Sequence, residues 1–109
     1  MARPPGEWTP AEATDRIRQC ARDARFTPHW KGHLLECLHE RNLDVGDVLY
    51  ALREGLVRDA AAPSDVTGFF RYAIEAKTPN SEGRTVRVVV TPSAGCELKV
   101  MKVTWRDEQ

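Results

Sequence analysis

The spacing of apolar positions changes once along the chain. From Thr9 to Gly55 they recur at helical intervals, and from Gly68 to Trp105 they alternate. Ile17, Cys20, Ala21 and Ala24 mark one face of a first helix, predicted over residues 9–24. Thr9 suits its N-cap, Pro10 its first turn, and Glu12 completes a capping box. The face is thin because half of it is alanine, and Arg16, Arg18, Arg22 and Arg25 make the other side basic. Thr27-Pro28 repeats the start signal. Trp30, Leu34, Leu35 and Leu38 then form the apolar face of a second predicted helix that runs to Arg41. Asn42 tolerates the left-handed conformation and stops it. Asp44 starts a third helix with Asp47 in its first turn, Val45, Val48, Leu49 and Leu52 face the core, and Gly55 ends it.

Beyond Gly55 the period is two. Leu56-Val57 is a candidate short strand, and residues 60–65 read as a loop. Gly68 to Lys77 places Phe70, Tyr72, Ile74 and Ala76 on one face and Phe69, Arg71, Ala73, Glu75 and Lys77 on the other. Pro79 to Gly83 is a turn, Arg84 to Thr91 a strand, Pro92 to Gly95 a second turn, and Glu97 to Trp105 a last strand. The last strand is apolar on both faces except at Lys99 and Lys102. The expected fold class is α+β, with three N-terminal helices packed on one face of a small antiparallel sheet of three to four strands. Residues 1–8 read as a flexible tail, although Trp8 has the character of a packing residue, and residues 9–109 as one domain.

Composition narrows the class a little. The chain is 41% hydrophobic and 29% charged, which argues against global disorder. Its formal net charge is zero, so bulk charge points to no polyanion. Residues 66–109 hold seven Lys/Arg against five Asp/Glu, so the strand half is mildly basic. Cys20, Cys37 and Cys96 are odd in number and irregular in spacing, which does not read as a disulfide framework. With no apolar leader in residues 1–6 and no run long enough to span a membrane, a reducing cytoplasm is the expected compartment.

The candidate chemistry starts from the polar face of the strands, where Arg71, Glu75, Lys77 and Arg87 share one side and Lys102 joins them if register allows. Such a face is either a solvated ion-pair surface or a patch for an anionic ligand. Phe69, on the same side, is the stacking candidate, while Phe70 and Tyr72 belong to the core. Arg41 either caps the helix end or touches phosphate. His33 is either a helix-surface histidine or a proton-transfer group. His29, His33 and Cys37 at i, i+4 and i+8 raise the thought of a metal, but no CxxC or HExxH pattern supports one, and neither metal nor cofactor is expected.

The pattern His33…Glu40-Arg41…Asp44-Val45-Gly46-Asp47-Val48…Leu52…Gly55, then Phe70-Arg71-Tyr72, Arg84 to Val90 and Val100…Val103-Thr104-Trp105, resembles the bacterial domain of unknown function 4258 family. That family is similar to the RelE and MqsR toxins of the barnase, colicin and RelE-like nuclease group. The resemblance covers roughly residues 27–105. It implies a RelE-like fold and the toxin half of a type II toxin–antitoxin pair, acting on RNA or the ribosome. The implied partner is a cognate antitoxin, a zinc-finger protein of the MqsA type. The implied chemistry is metal-independent RNA cleavage through the basic sheet face, with Arg71, Arg87, His33 and Lys77 catalytic and Lys102, Arg84, Phe69 and Arg41 binding RNA. Tyr72 and Glu75 are further proton-transfer candidates. The alternative function is a non-enzymatic protein-interaction module of the same fold.

Overall fold

The computed structural model describes residues 5–30 and 32–108. The predicted tail therefore lies in part outside the described residues. Its last member, Trp8, is buried, with its ring stacked on Tyr72 and its backbone N–H donating to the Tyr72 hydroxyl at 2.7 Å. The domain thus begins at least one residue earlier than expected.

Helix α1 spans Pro10–Arg22, and its start follows the sequence signal: Thr9 accepts from the Glu12 N–H, and the Glu12 carboxylate accepts from the Thr9 N–H. The predicted second helix is only partly formed. Thr27-Pro28 opens not a helix but a short strand, β1 (His29–Trp30), which runs parallel to the last strand with His29 opposite Lys99. The residue before a proline is pushed toward extended backbone, and Gly32 takes a positive φ of +35°, so the helix begins only after it. Helix α2 covers Leu34–Glu40, and Asn42 stops it at a φ of +56°. Helix α3 is Val45–Glu54, opened by a reciprocal Asp44–Asp47 capping box. Asp47 is almost fully buried and also accepts from the backbone and side chain of Asn80, which ties this helix end to a turn of the sheet. Burial alone would raise the Asp47 pKa, but these N–H donors outweigh it and hold the carboxyl below its ordinary range.

Gly55 ends α3 for a reason other than φ. A β-carbon there would lie 2.3 Å from the Ala51 carbonyl oxygen, 2.8 Å from Ile74 Cγ1 and 2.9 Å from the Glu75 carbonyl oxygen. The helix end is pressed against the sheet, and only a residue without a side chain fits.

The remaining strands are β2 (Leu56–Val57), β3 (Ala62–Pro63), β4 (Phe70–Lys77), β5 (Thr85–Ser93) and β6 (Glu97–Trp105). The sheet has six strands in the order β1-β6-β5-β4-β2, with β3 also paired to β4. The α+β class holds, but the count exceeds the expected three to four, and the sheet is mixed because β1 is parallel. The helices do not all precede the strands either, since β1 separates α1 from α2. The segment read as a loop supplies β3, and Pro92 lies inside β5 rather than in a turn.

The inner face carries Tyr72, Ile74, Val86, Val88, Val90, Leu98, Val100 and Val103, all buried under the helices with Ile17, Leu38, Val48 and Leu52. A register shift between Val89 and Val90 bulges β6 near Met101. It explains how Lys99 and Lys102, three residues apart, both face outward, opposite Thr91 and Val89.

Cys20 and Cys96 form a disulfide with their Cα atoms 5.2 Å apart, joining α1 to the β5–β6 turn, while Cys37 is free. This corrects the expectation that the cysteines form no disulfide and removes the support they gave to a reducing compartment. None of the helices in the described residues is long and apolar enough to cross a membrane.

Candidate functional site

Cross-strand register arranges the outer face in rows. One row runs Glu75–Arg87–Thr104, the next Ala73–Val89–Lys102, and the third Thr91–Lys99 with His29 at the β1 edge, while Arg71 lies two residues before Ala73 on β4 and pairs with Ala62 of β3. Leu56 flanks Glu75 from β2. The first row holds the most unusual group on this face. The Glu75 side chain is 4% exposed although it points away from the core. Three guanidinium groups surround it, from Arg106 at 3.4 Å, Arg58 at 3.5 Å and Arg87 at 3.7 Å. Arg87 also meets Asp59 at 3.6 Å.

The electrostatics are lopsided. Three guanidinium groups around two carboxylates leave one positive charge uncompensated. The arginine side chains are 36–57% exposed, so the cations reach solvent while the carboxylate sits beneath them. The contacts to Glu75 are longer than ordinary hydrogen bonds, and its Oε1 has no hydrogen-bond partner among the described residues. Oε1 is thus a buried acceptor without a hydrogen bond, covered by the Arg58 and Arg106 guanidinium groups of a cationic rim. Such a set suits a phosphodiester, with the rim on the phosphate oxygens and the carboxylate near the group that loses a proton.

The residues singled out in the sequence scatter. Arg87 is in this site and Lys77 lies on the same face at the end of β4, opposite Thr85. Lys102 is exposed on the next row. Arg71 is on the face but not in the site: four residues along β4 separate it from Glu75, roughly 13 Å. It pairs with Asp65 at 2.9 Å instead, beside Phe69. Arg71 and Arg87 thus do not converge on one centre.

The others are occupied elsewhere. His33 precedes α2 and sits 3.5 Å from Glu36, with 87% of its side chain exposed. Arg41 donates to the Cys37 carbonyl and makes a two-pronged contact with Glu108, which anchors the chain after β6. That contact, with a further hydrogen bond from the Trp105 N–H, lowers the Glu108 pKa to about 2. Arg84 stacks over the Trp105 ring at 4.1 Å and meets Asp107 at 3.0 Å. Tyr72 is a core residue whose burial raises its pKa further from neutrality. The helical spacing imagined for His29, His33 and Cys37 does not exist, because His29 belongs to β1.

Arg58 and Arg106 were missed in the sequence. Each lies just past a short or ending strand, yet each continues its alternation, Arg58 two residues after Leu56 and Arg106 two after Thr104. Extending the period by one step would have found both. The Arg106 N–H donates to the Thr85 carbonyl at 2.9 Å, which keeps it aligned with β5 after β6 ends.

The fold and this centre define an α+β protein with a carboxylate–arginine cluster on the solvent face of a mixed sheet. No family model matches the chain, and no curated protein or solved structure matches it.

Proposed function

We propose that the outer sheet face binds single-stranded RNA and that Glu75, Arg58, Arg87 and Arg106 cleave it without a metal ion. One observation carries this reading: a carboxylate that is 4% exposed, with an unbonded Oε1, lies under three solvent-reaching guanidinium groups on an open sheet face. In the reaction the 2′-oxygen attacks the neighbouring phosphorus and its proton passes to Glu75. The P–O5′ bond breaks, and the proton returns through water to the departing 5′-oxygen. The products carry a 2′,3′-cyclic phosphate and a 5′-hydroxyl. The arginines stabilise the charge that develops on the phosphorane oxygens, and the same cationic rim disfavours a divalent ion beside Glu75.

This reading keeps the RNA cleavage that the resemblance to RelE-like toxins implies and retains Arg87, but it makes the proton-transfer candidate Glu75 the base, adds Arg58 and Arg106, and drops His33, Arg71 and Lys77. On that basis the physiological substrate is RNA, free or on the ribosome. The partner is an antitoxin covering this face, and the place of action is the cytoplasm. The alternative, an interaction module without chemistry, draws on Leu56, 44% exposed on β2 at the sheet edge.

The test is cleavage of an end-labelled RNA oligonucleotide by purified protein, with analysis of the product ends. Glu75→Gln keeps the shape and should lower the rate by about 10²–10⁴-fold while RNA stays bound. Arg87→Ala should lower it by about 10²–10³-fold, and a chelator should change nothing. RNA that is bound but never cut would remove the chemistry, and RNA that is not bound at all would sink both the site and the substrate and favour the interaction module.

A further inference from the structure

The third row of the outer face ends in a second feature, a cavity of about 260 Å³ between the β3–β4 loop and the exposed sides of β5 and β6. Val66, Phe69 and Met101 give it apolar walls, and Ser64, Asp65 and Arg71 give it a polar side. Val66 is 60% exposed, a large fraction for a valine. The loop is fixed before any ligand arrives. The Ser64 N–H donates to the Phe69 carbonyl at 3.0 Å, the Phe69 N–H to the Val66 carbonyl at 3.1 Å, and the Ser64 hydroxyl to the Val66 carbonyl at 3.0 Å. Arg71 is held against Asp65 Oδ2 at 2.9 Å. Thr91 lines it too, and behind its surface Arg71 Nε and the Thr91 hydroxyl are buried without hydrogen-bond partners among the described residues. A preformed cavity with an aromatic wall and convergent polar groups has the form of a small-ligand site, just below the usual size range.

We infer that this cavity holds a nucleobase of the bound RNA and that it selects guanine. The inference rests on the proposed RNA-binding role of the face. Between cavity and centre lies the row with Lys102, which suits the phosphate joining the held base to the cleaved linkage. Phe69 and Met101 supply the surfaces that a flat ring requires. The choice of guanine follows from the polar pair. Its Watson–Crick edge offers N–H donors at N1 and N2 and an acceptor at O6. Asp65 Oδ1, which takes no hydrogen bond among the described residues, accepts from the donors, and Arg71 donates to O6. Adenine presents an unprotonated N1 to the carboxylate, and two lone pairs repel. The ring is smaller in cytosine and uracil, and it leaves the Phe69 and Met101 walls partly uncovered.

The experiment titrates isotope-labelled protein with guanosine, adenosine, cytidine and uridine 5′-monophosphates and with inorganic phosphate, following backbone amide shifts. Guanosine monophosphate should move Val66, Phe69, Thr91 and Met101 and bind about tenfold more tightly than the others. Phe69→Ala should weaken it by about tenfold, as loss of a base–aromatic contact does. Asp65→Asn should erase the preference for guanosine over adenosine. Equal binding of all four nucleotides, shifts confined to Arg58, Arg87 and Arg106, shifts that inorganic phosphate alone reproduces, or no shifts at all would each overturn the assignment. The two readings fail separately. Guanosine binding at Phe69 without RNA cleavage leaves the pocket standing and removes the chemistry. Cleavage that ignores base identity and Phe69→Ala does the reverse.

Discussion

Replacing Cys96 with serine isolates the contribution of the cross-link between α1 and the β5–β6 turn. Cys96 is exposed and takes a φ of +65°, and serine meets the same backbone constraint with nearly the same volume. Cys20 stays behind as a buried thiol, which the core accepts. The two residues are 76 apart in sequence, so in the chain-entropy account the bridge removes about 4.5 kcal/mol of freedom from the unfolded chain at 25 °C. Against a total stability of about 5–15 kcal/mol for a domain of this size, that is a large share. With a urea dependence of about 1–3 kcal/mol per molar, the midpoint should fall by at least about 1.5 M. The assay is urea unfolding of the parent and Cys96→Ser proteins, each with and without reductant, together with a count of free thiols in the native state. The parent should show one free thiol and lose stability on reduction, and the variant should ignore the reductant. Three free thiols in the native parent, or a midpoint that reduction leaves unmoved, would refute the reasoning. The compartment is coupled to this result, because a cytosol at reducing poise would withhold the same stabilisation.

Acid should weaken the fold in a definite window. Glu108, lowered from an ordinary 4.5 to about 2 by its contact with Arg41, contributes stability that is complete above pH 4.5 and lost as the pH falls toward about 2. Asp47, also lowered, acts with the same sign, so the urea midpoint should drop through this range, and Arg41→Ala should flatten part of the drop. Gly55→Ala should destabilise by about 2 kcal/mol or more, because the new methyl meets backbone oxygens from α3 and β4 that have no room to retreat. Thermal or urea unfolding reads it, and a neutral result would mean that the α3–β4 approach is looser than the 2.9 Å to the Glu75 carbonyl oxygen implies.

Local signals carried the elements whose causes are local. The Thr9–Glu12 capping box, the stop at Asn42 and the alternation from Phe70 to Ala76 each need only neighbours within a few residues, and each is formed. What escaped notice depends on distant partners. His29–Trp30 is a strand only because Lys99–Val100 offers an edge, and nothing within a few residues of His29 announces that. The Cys20–Cys96 bridge spans most of the chain, beyond any spacing rule. The candidate site was half legible for the same reason. Alternation put Glu75 and Arg87 on one face, but whether they were opposite one another depended on the register of β4 and β5. Arg71 looked equivalent to Arg87 by face and type, and register set them rows apart.

A buried ion cluster can also serve the fold alone, and the two roles leave different marks. Pairing that exists for stability does best when charges match and each lone pair is used, since desolvation otherwise outweighs the attraction. Around Glu75 neither condition holds. Positive charge exceeds negative by one, and Oε1 accepts no hydrogen bond among the described residues. Nearby positions on the same face are Leu56, Ala73 and Val89, and an apolar residue in place of Glu75 would continue that surface at lower electrostatic cost. The contrast with Asp47 sharpens the point. Asp47 is equally buried, but N–H donors from Asp44 and Asn80 occupy both its oxygens, and it joins a helix end to a turn. One buried acid is saturated and ties elements together. The other lies beneath a surplus of cations with one oxygen that accepts no hydrogen bond, and the proposed RNA cleavage rests on that imbalance.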